Sequence, residues 1–437
     1  LPSFPTRRSS DLFRHPLGES VDHRQSDTPM NPVATADAAG LTTASKPAGP
    51  RLGSIDAYRG FVMFLMMGEA FAFGRVAENL PQSSLWQFLD HHQSHVQWVG
   101  CVLHDLIQPS FSFLVGTALA FSVASRTARG ESWGRMLGHA LWRSVALTFL
   151  GVFLRSTGRA QTNFTFEDTL SQIGMGYTFL FLLGTRSVRT QWISLAGILV
   201  GYWLLFALYP LPGPGFDWSQ TGVTPDWPGN LQGFAAHWNK NTNAAWAFDR
   251  WFLNLLPREK PFLFNGGGYS TLSFIPTLGT MLLGLIAGGW LRSTGLGPRD
   301  RVRRLLIAGA GCLAAGWLLD ATGVCPNVKR IWTPAWTLYS GGWCFLFLAG
   351  FYSLVDIGPG RRWVFPLTVI GMNSIAAYCM DHLFGGFIHR ALKTHLGEKA
   401  FSLLGAPYAP MVHGAAALLV LWLILLWMYR RKIFLRL

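Results

Sequence analysis

The chain has 437 residues, half of them hydrophobic and only 13% charged, where a soluble domain usually carries about 25% charge. That balance excludes an ordinary soluble enzyme, and the 19 Trp and 32 Phe suit interfacial belts and lipid-facing packing. The formal charge of +14 does not point to nucleic acid, because the basic residues lie between apolar runs and form no dense patch.

The first segment, 1–50, is polar and rich in Ser, Thr, Ala and Pro. It has neither an apolar core nor a secretory h-region, so it is expected to be disordered. Residues 1–12 read as a sequencing artefact, since Phe4 to Leu12 back-translates into a common adapter sequence, and Met30 is a candidate start. From residue 51 to 437 the apolar runs have the length of transmembrane helices, and no series of short alternating strands competes with them. The expected fold class is therefore all-α, a polytopic transmembrane helical bundle of about ten spans. They fall near 58–74, 102–124, 136–154, 171–185, 191–209, 272–291, 304–320, 332–354, 364–384 and 409–429, with an interfacial helix at 386–402.

Lys and Arg near the span ends set the orientation. Arg126, Arg129, Arg135, Arg186, Arg189, Arg292, Arg303, Arg361 and Arg430 fall on one set of loops, which places both termini in the cytoplasm. The long loop 210–271 then faces outward, into the periplasm if the membrane is a bacterial inner membrane. A loop of that length is usually functional or disordered, and its Trp content argues against disorder. Stacking on a sugar and packing as a cap both fit. The five cysteines, Cys101, Cys312, Cys325, Cys344 and Cys379, show no paired spacing, so no metal centre or disulfide framework is expected.

Ionisable groups at membrane depth are costly and are functional candidates by default. His95 stands at a span boundary, with Asp105 and Pro109 following inside apolar surroundings. An imidazole there suits acyl transfer from a thioester, as the base for the attacking amine or hydroxyl or as a transient acyl carrier. An interfacial polar role is the commoner fate of such a residue, and His91, His92 and His104 are equally eligible by type. On a continuous helix Asp105 would lie about 15 Å from His95, so a direct bond between them needs a break in the helix. Pro109 removes the amide that would bond the Asp105 carbonyl, which predicts a bend in the second span.

The spacing H-x2-W-x-G-x4-D-x3-P, filled by His95, Trp98, Gly100, Asp105 and Pro109, resembles the histidine motif of the heparan-α-glucosaminide N-acetyltransferase family of membrane acyltransferases. Further segments extend the resemblance: Asp56, Arg59 and Gly60 in the first span, Pro326 to Pro334, and Gly371 to Tyr378. Leu170 to Gly174 is similar to another family segment but lacks its Arg. Together they cover about 55 to 432. The resemblance implies that His95 is the active-site residue among the four neighbouring histidines. It implies acetyl-CoA as acyl donor, with Arg59 toward a coenzyme A phosphate, and an extracytoplasmic glycan or amino sugar as acceptor. Where the family often carries an Asn, the stretch Met67-Gly68-Glu69-Ala70 has none, and Glu69 is the group able to replace it. Trp98, Lys329, Trp332 and Asn373 become substrate-binding candidates, beside the ordinary roles of belt packing and helix contact. The partners expected are the lipid bilayer, acyl-CoA, the acceptor and a second copy of the chain. Two other readings stay open: a non-enzymatic carrier or channel for a sugar or lipid-linked glycan, and a structural partner in a glycan-processing complex.

Overall fold

The computed structural model describes residues 52–435; the segment 1–50, with the artefact reading of its first residues, lies outside the described residues. Among the described residues there are fourteen α-helices and no strand. In chain order they are α1 Gly53–Met67, α2 Phe73–Asn79, α3 Ser84–Gln93, α4 Ile107–Ala128, α5 Trp133–Ser156, α6 Thr169–Gly184, α7 Val188–Ala207, α8 Ala244–Phe252, α9 Phe274–Arg292, α10 Pro298–Ala321, α11 Pro334–Phe351, α12 Phe365–Met372, α13 Ser374–Leu396 and α14 Ala409–Arg430. Eight helical stretches are long and apolar enough to cross a bilayer: those built on α1, α4, α5, α7, α9, α10, α11 and α14. The chain is a multi-pass helical membrane protein.

Two of the ten expected spans take another form. The one near 171–185 is α6, whose 16 residues reach only about 24 Å against a hydrocarbon core of about 30 Å. The one near 364–384 is broken at Asn373, where φ −126° and ψ 35° separate α12 from α13. Asn373 Nδ2 donates to Ile433 O and its Oδ1 accepts from Leu435 N, so this residue ties the break to the C-terminal tail. With the break there, α13 runs on through Gly385 and Gly386 to Leu396. The interfacial helix expected at 386–402 is the end of α13 followed by a 3-10 turn at Glu398–Ser402.

Close backbone approach sets the helix crossings. A Cβ at Gly284 of α9 would stand 1.8 Å from Phe113 O of α4, and one at Gly116 of α4 would stand 1.8 Å from Met281 O of α9. Only glycine fits at such contacts, and small residues are the usual means of bringing helices together in lipid. Thr117 Oγ1 donates across the same seam to Gly284 O at 3.1 Å.

The loop 210–271 folds as a cap on the ends of α7 and α11. Trp238 is fully buried and clusters with Tyr202, Phe206, Trp98, Val328 and Ile331. Inside the cap, Asn243 Oδ1 accepts from Ala245 N and Trp246 N and so starts α8. Trp238 thus packs the loop against α7 and the segment Pro326–Pro334, which is the arrangement of the packed-cap alternative.

Candidate active site

Helix α3 ends at Gln93, and the backbone from Ser94 to Val102 is not helical. This is the break that a His95–Asp105 contact requires. Val99 forms an isolated antiparallel bridge with Val328, and Gly100 N donates to Asn327 O at 3.0 Å. The histidine motif is thereby fastened to the segment Pro326–Pro334. Thr333 holds the far side of that segment: its Oγ1 donates to Pro326 O at 2.8 Å and accepts from Trp336 N, capping α11 just before Pro334.

A 3-10 turn, Leu103–Leu106, leads into α4. Pro109 is the third residue of α4, inside the first turn, where no intrahelical donor is needed. The expected bend in a continuing span is therefore a helix start; the chain turns before the proline, not at it.

Asp105 is fully buried, and four donors converge on it. His95 Nδ1 lies 2.7 Å from Oδ1, and Lys329 Nζ donates to the same oxygen at 3.0 Å. The amides of Val96 and Val102 donate to Oδ2 at 3.5 and 3.2 Å. A carboxylate only accepts, so His95 donates to it from Nδ1, and Nε2 is the ring nitrogen not used in this contact. The Lys329 ammonium, itself buried, neutralises the carboxylate. It also lies 3.2 Å from His95 Nδ1.

His95 opens onto a cavity of about 520 Å³. Glu69, His104, Glu167, Asp381, His382 and Tyr269 also line it. Burial pushes the Glu167 carboxyl above its ordinary value, with Arg155 opposing. Across Thr169 and Tyr378, which belong to both walls, lies a second cavity of about 280 Å³ with mostly apolar sides. Arg59 and Arg143 line this second cavity.

Of the residues singled out in the sequence, the structure brings His95, Asp105, Glu69 and Lys329 to one place. Arg59 lines the second cavity, next to Asp56 at 3.4 Å. Trp98, Trp332 and Asn373 line neither cavity. Trp98 is buried under the cap and donates to Trp238 O, while Trp332 is buried and donates to Thr280 Oγ1. Asn373 binds the C-terminal tail. One residue was eligible in the sequence by type alone, and another went unmarked. His104 contacts Glu69, Nε2 to Oε1 at 2.6 Å, and its ring lies 4.9 Å from that of His95. Arg143 sits mid-way along α5, its Nη1 donating to Tyr177 Oη at 3.1 Å and its Nε without a partner among the described residues. A lone Arg in the middle of the apolar run 136–154 was a readable signal.

A His–Asp pair with its carboxylate buried and its imidazole at the wall of a polar cavity, within a bundle of apolar helices, defines a class: multi-pass membrane proteins with a polar site among their helices. The comparisons with known proteins agree with the motif resemblance. The chain is 24% identical to heparan-alpha-glucosaminide N-acetyltransferase of Homo sapiens, in an alignment covering 98% of this chain and 67% of that protein. It is 24% identical to the Mus musculus protein of the same name, over 75% of this chain and 53% of that one. The chain thus spans roughly half to two thirds of the length of these relatives. No family model matches it.

Proposed function

We propose that this protein is a membrane acetyltransferase that moves acetyl from acetyl-CoA to an extracytoplasmic amino sugar or other glycan. The observation that carries the reading is the 2.7 Å contact of His95 Nδ1 with Asp105 at the wall of the large cavity. The names of the relatives supply the reaction class.

In this reading Asp105 and Lys329 hold the imidazole with Nε2 free. The acceptor nitrogen attacks the thioester carbonyl, the carbon–sulfur bond breaks, and Nε2 takes the proton that the nitrogen loses. His95 then returns that proton to the departing thiolate. Glu69 and Asp381 supply acidic groups to the same cavity, which suits a cationic amine. The donor enters from the opposite side, where Arg59 and Arg143 offer charge to its phosphates and the apolar cavity accepts its acyl-bearing arm. Tyr378 and Thr169 are the side chains that this arm passes to reach His95. The Arg-rich loops lie at the ends away from the cap, which supports an orientation with both termini in the cytoplasm and a place in the inner membrane of a bacterium.

His95→Ala tests the reading. Acetyl transfer to glucosamine should fall on the order of 10²–10⁴-fold. Stabilisation of the purified protein by acetyl-CoA should persist, about 2.7 kcal/mol at a hundredfold excess over Kd. His91→Ala and His92→Ala should be far milder. Full activity of His95→Ala would refute the mechanism. A wild-type protein that binds the amino sugar yet transfers no acetyl would favour the carrier reading.

A further inference from the structure

The His95–Asp105 pair accounts for one proton, but acetylation of an ammonium involves two. The overall change is R-NH3⁺ plus acetyl thioester giving R-NH-acetyl, thiol and one free proton. His95 can carry one proton from nitrogen to sulfur. The other has to leave the nitrogen before the attack, because an ammonium has no lone pair, and it has to leave the site.

We infer that His104 and Glu69 form a separate relay that takes this first proton; the inference rests on the transferase reading above. His104 is buried, and both its ring and that of His95 line the large cavity. Their 4.9 Å separation puts His104 beside any amine that His95 serves, directly or through one water. His104 Nε2 lies 2.6 Å from Glu69 Oε1. That carboxylate is 63% exposed, whereas Asp105 is closed off completely. The two histidines therefore have carboxylate partners of opposite kind. Asp105 is sealed and neutralised by Lys329, so it orients its imidazole and takes no proton onward. Glu69 meets water, so a proton passed to it can leave. His104, His95, His382 and Asp381 are the titratable groups around it.

The steps balance. The ammonium N–H bond breaks as His104 Nδ1 gains a proton. The Nε2 proton moves to Glu69 Oε1. The Glu69 carboxyl releases it to cavity water, which leaves the ring with its proton on Nδ1; loss of that proton to cavity water and return of one to Nε2 through Glu69 restore the starting tautomer, for a net release of one proton. The free amine then attacks with His95 as base. An amine that is already neutral skips these transfers.

That difference gives the test. Glu69→Gln keeps a hydrogen-bonding side chain beside His104 but cannot carry the proton; His104→Gln is the second variant. Each is assayed with acetyl-CoA in mildly acidic buffer, with glucosamine (an ammonium there) and methoxyamine (neutral there) as saturating acceptors. The ratio of kcat for glucosamine to kcat for methoxyamine should fall on the order of 10²-fold in both variants. An unchanged ratio, whether activity falls with both acceptors or with neither, overturns the relay and leaves the transferase reading standing. A loss confined to the KM of glucosamine makes Glu69 a binding group and also overturns it. A wild-type protein that acetylates neither amine sinks the transferase reading, and the relay with it.

Discussion

Asp105→Asn separates a structural from a catalytic role for the buried carboxylate. The carboxylate accepts from four donors: His95 and Lys329 at Oδ1, and the amides of Val96 and Val102 at Oδ2. A carboxamide has one accepting oxygen, so either orientation turns its NH2 toward two of these donors. With the NH2 at the Oδ1 position, His95 Nδ1 must become the acceptor, and the ring proton moves to Nε2, the nitrogen needed as base. The analogous change in the Ser-His-Asp triad lowers kcat about 10⁴-fold, and a loss of similar order is expected here. Lys329 meanwhile keeps a charge in a buried position without its counter-ion. Breaking a buried pair in this way costs about 3–5 kcal/mol, so the thermal midpoint of the purified protein should fall as well. Acetyl transfer and thermal unfolding, measured on the same preparation, read the two effects separately. Adding Lys329→Met removes the stranded charge. The double variant should recover much of the midpoint and none of the activity. A folded Asp105→Asn protein retaining activity within tenfold of wild type would refute the assignment of Asp105 as the orienting group. Recovery of activity along with stability in the double variant would show that its role is structural only.

Arg143→Met should raise the KM for acetyl-CoA about 10–100-fold with kcat nearly unchanged, the loss of one charge-assisted hydrogen bond to a phosphate of about 1.5–3 kcal/mol; an unchanged KM removes Arg143 from the donor site. Gly284→Ala places a methyl 1.8 Å from Phe113 O and should lower the thermal midpoint of the bundle, by about 1–3 kcal/mol of overpacking, whereas Gly197→Ala, with nothing within 4 Å, should not lower it. Equal midpoints for the two variants would contradict the α4–α9 contact. In the cap, burial pushes the Asp249 carboxyl up to about 7, against the opposing hydrogen bond from Thr271 N. A folded-state value above the unfolded one means that the folded cap holds a proton which the unfolded cap releases from about pH 4 upward. Cap stability should therefore fall as pH rises from about 4 to about 7 and level off beyond. Asp249→Asn should flatten that dependence in hydrogen exchange of α8, and an unaltered slope would show that another group sets it.

The bundle was legible because lipid enforces it: runs of apolar residues near the length of a bilayer leave few alternatives to helices. The exceptions were decided by contacts that a hydropathy pattern does not contain. Nothing in the apolar run 364–384 marks Asn373 as a break until its carboxamide is seen to bind the C-terminal tail. The continuation of α13 past Gly385 and Gly386 follows from that break. At the site, His95 and Asp105 could be named from spacing, but their contact could not, since it depends on the non-helical path from Ser94 to Val102. Lys329 was read at an interface, 224 residues from Asp105 in the chain, and the Val99–Val328 bridge with the Gly100 N–Asn327 O hydrogen bond brings its segment to that carboxylate. Trp98 and Trp332 carry apolar bulk to the cap and to the helix ends, which residue type alone does not distinguish from contact with a sugar.

The charged groups of the site share one structural origin. His95 and Lys329 lie on irregular backbone, Glu69 in a 3-10 turn after α1, and Asp105 in the 3-10 turn before α4. Irregular backbone at membrane depth is tolerated where it lines a cavity or is buried in protein, because its amides need partners there. Here those amides are used: Val96 N and Val102 N bond Asp105, and Gly100 N bonds Asn327 O. The same loop therefore does two things. It satisfies its own backbone, and in doing so it fixes a carboxylate that no helix presents. The bridge between Val99 and Val328 and the hydrogen bond from Gly100 N to Asn327 O fix how the two segments meet, and the turn that follows Val328 carries Lys329. Loss of that contact would free the turn that brings Lys329 to Asp105 and leave two buried charges apart. The fastening of the Pro326–Pro334 segment to the histidine segment, through the bridge and Thr333, is thus what supplies Lys329 to the carboxylate of the His–Asp pair.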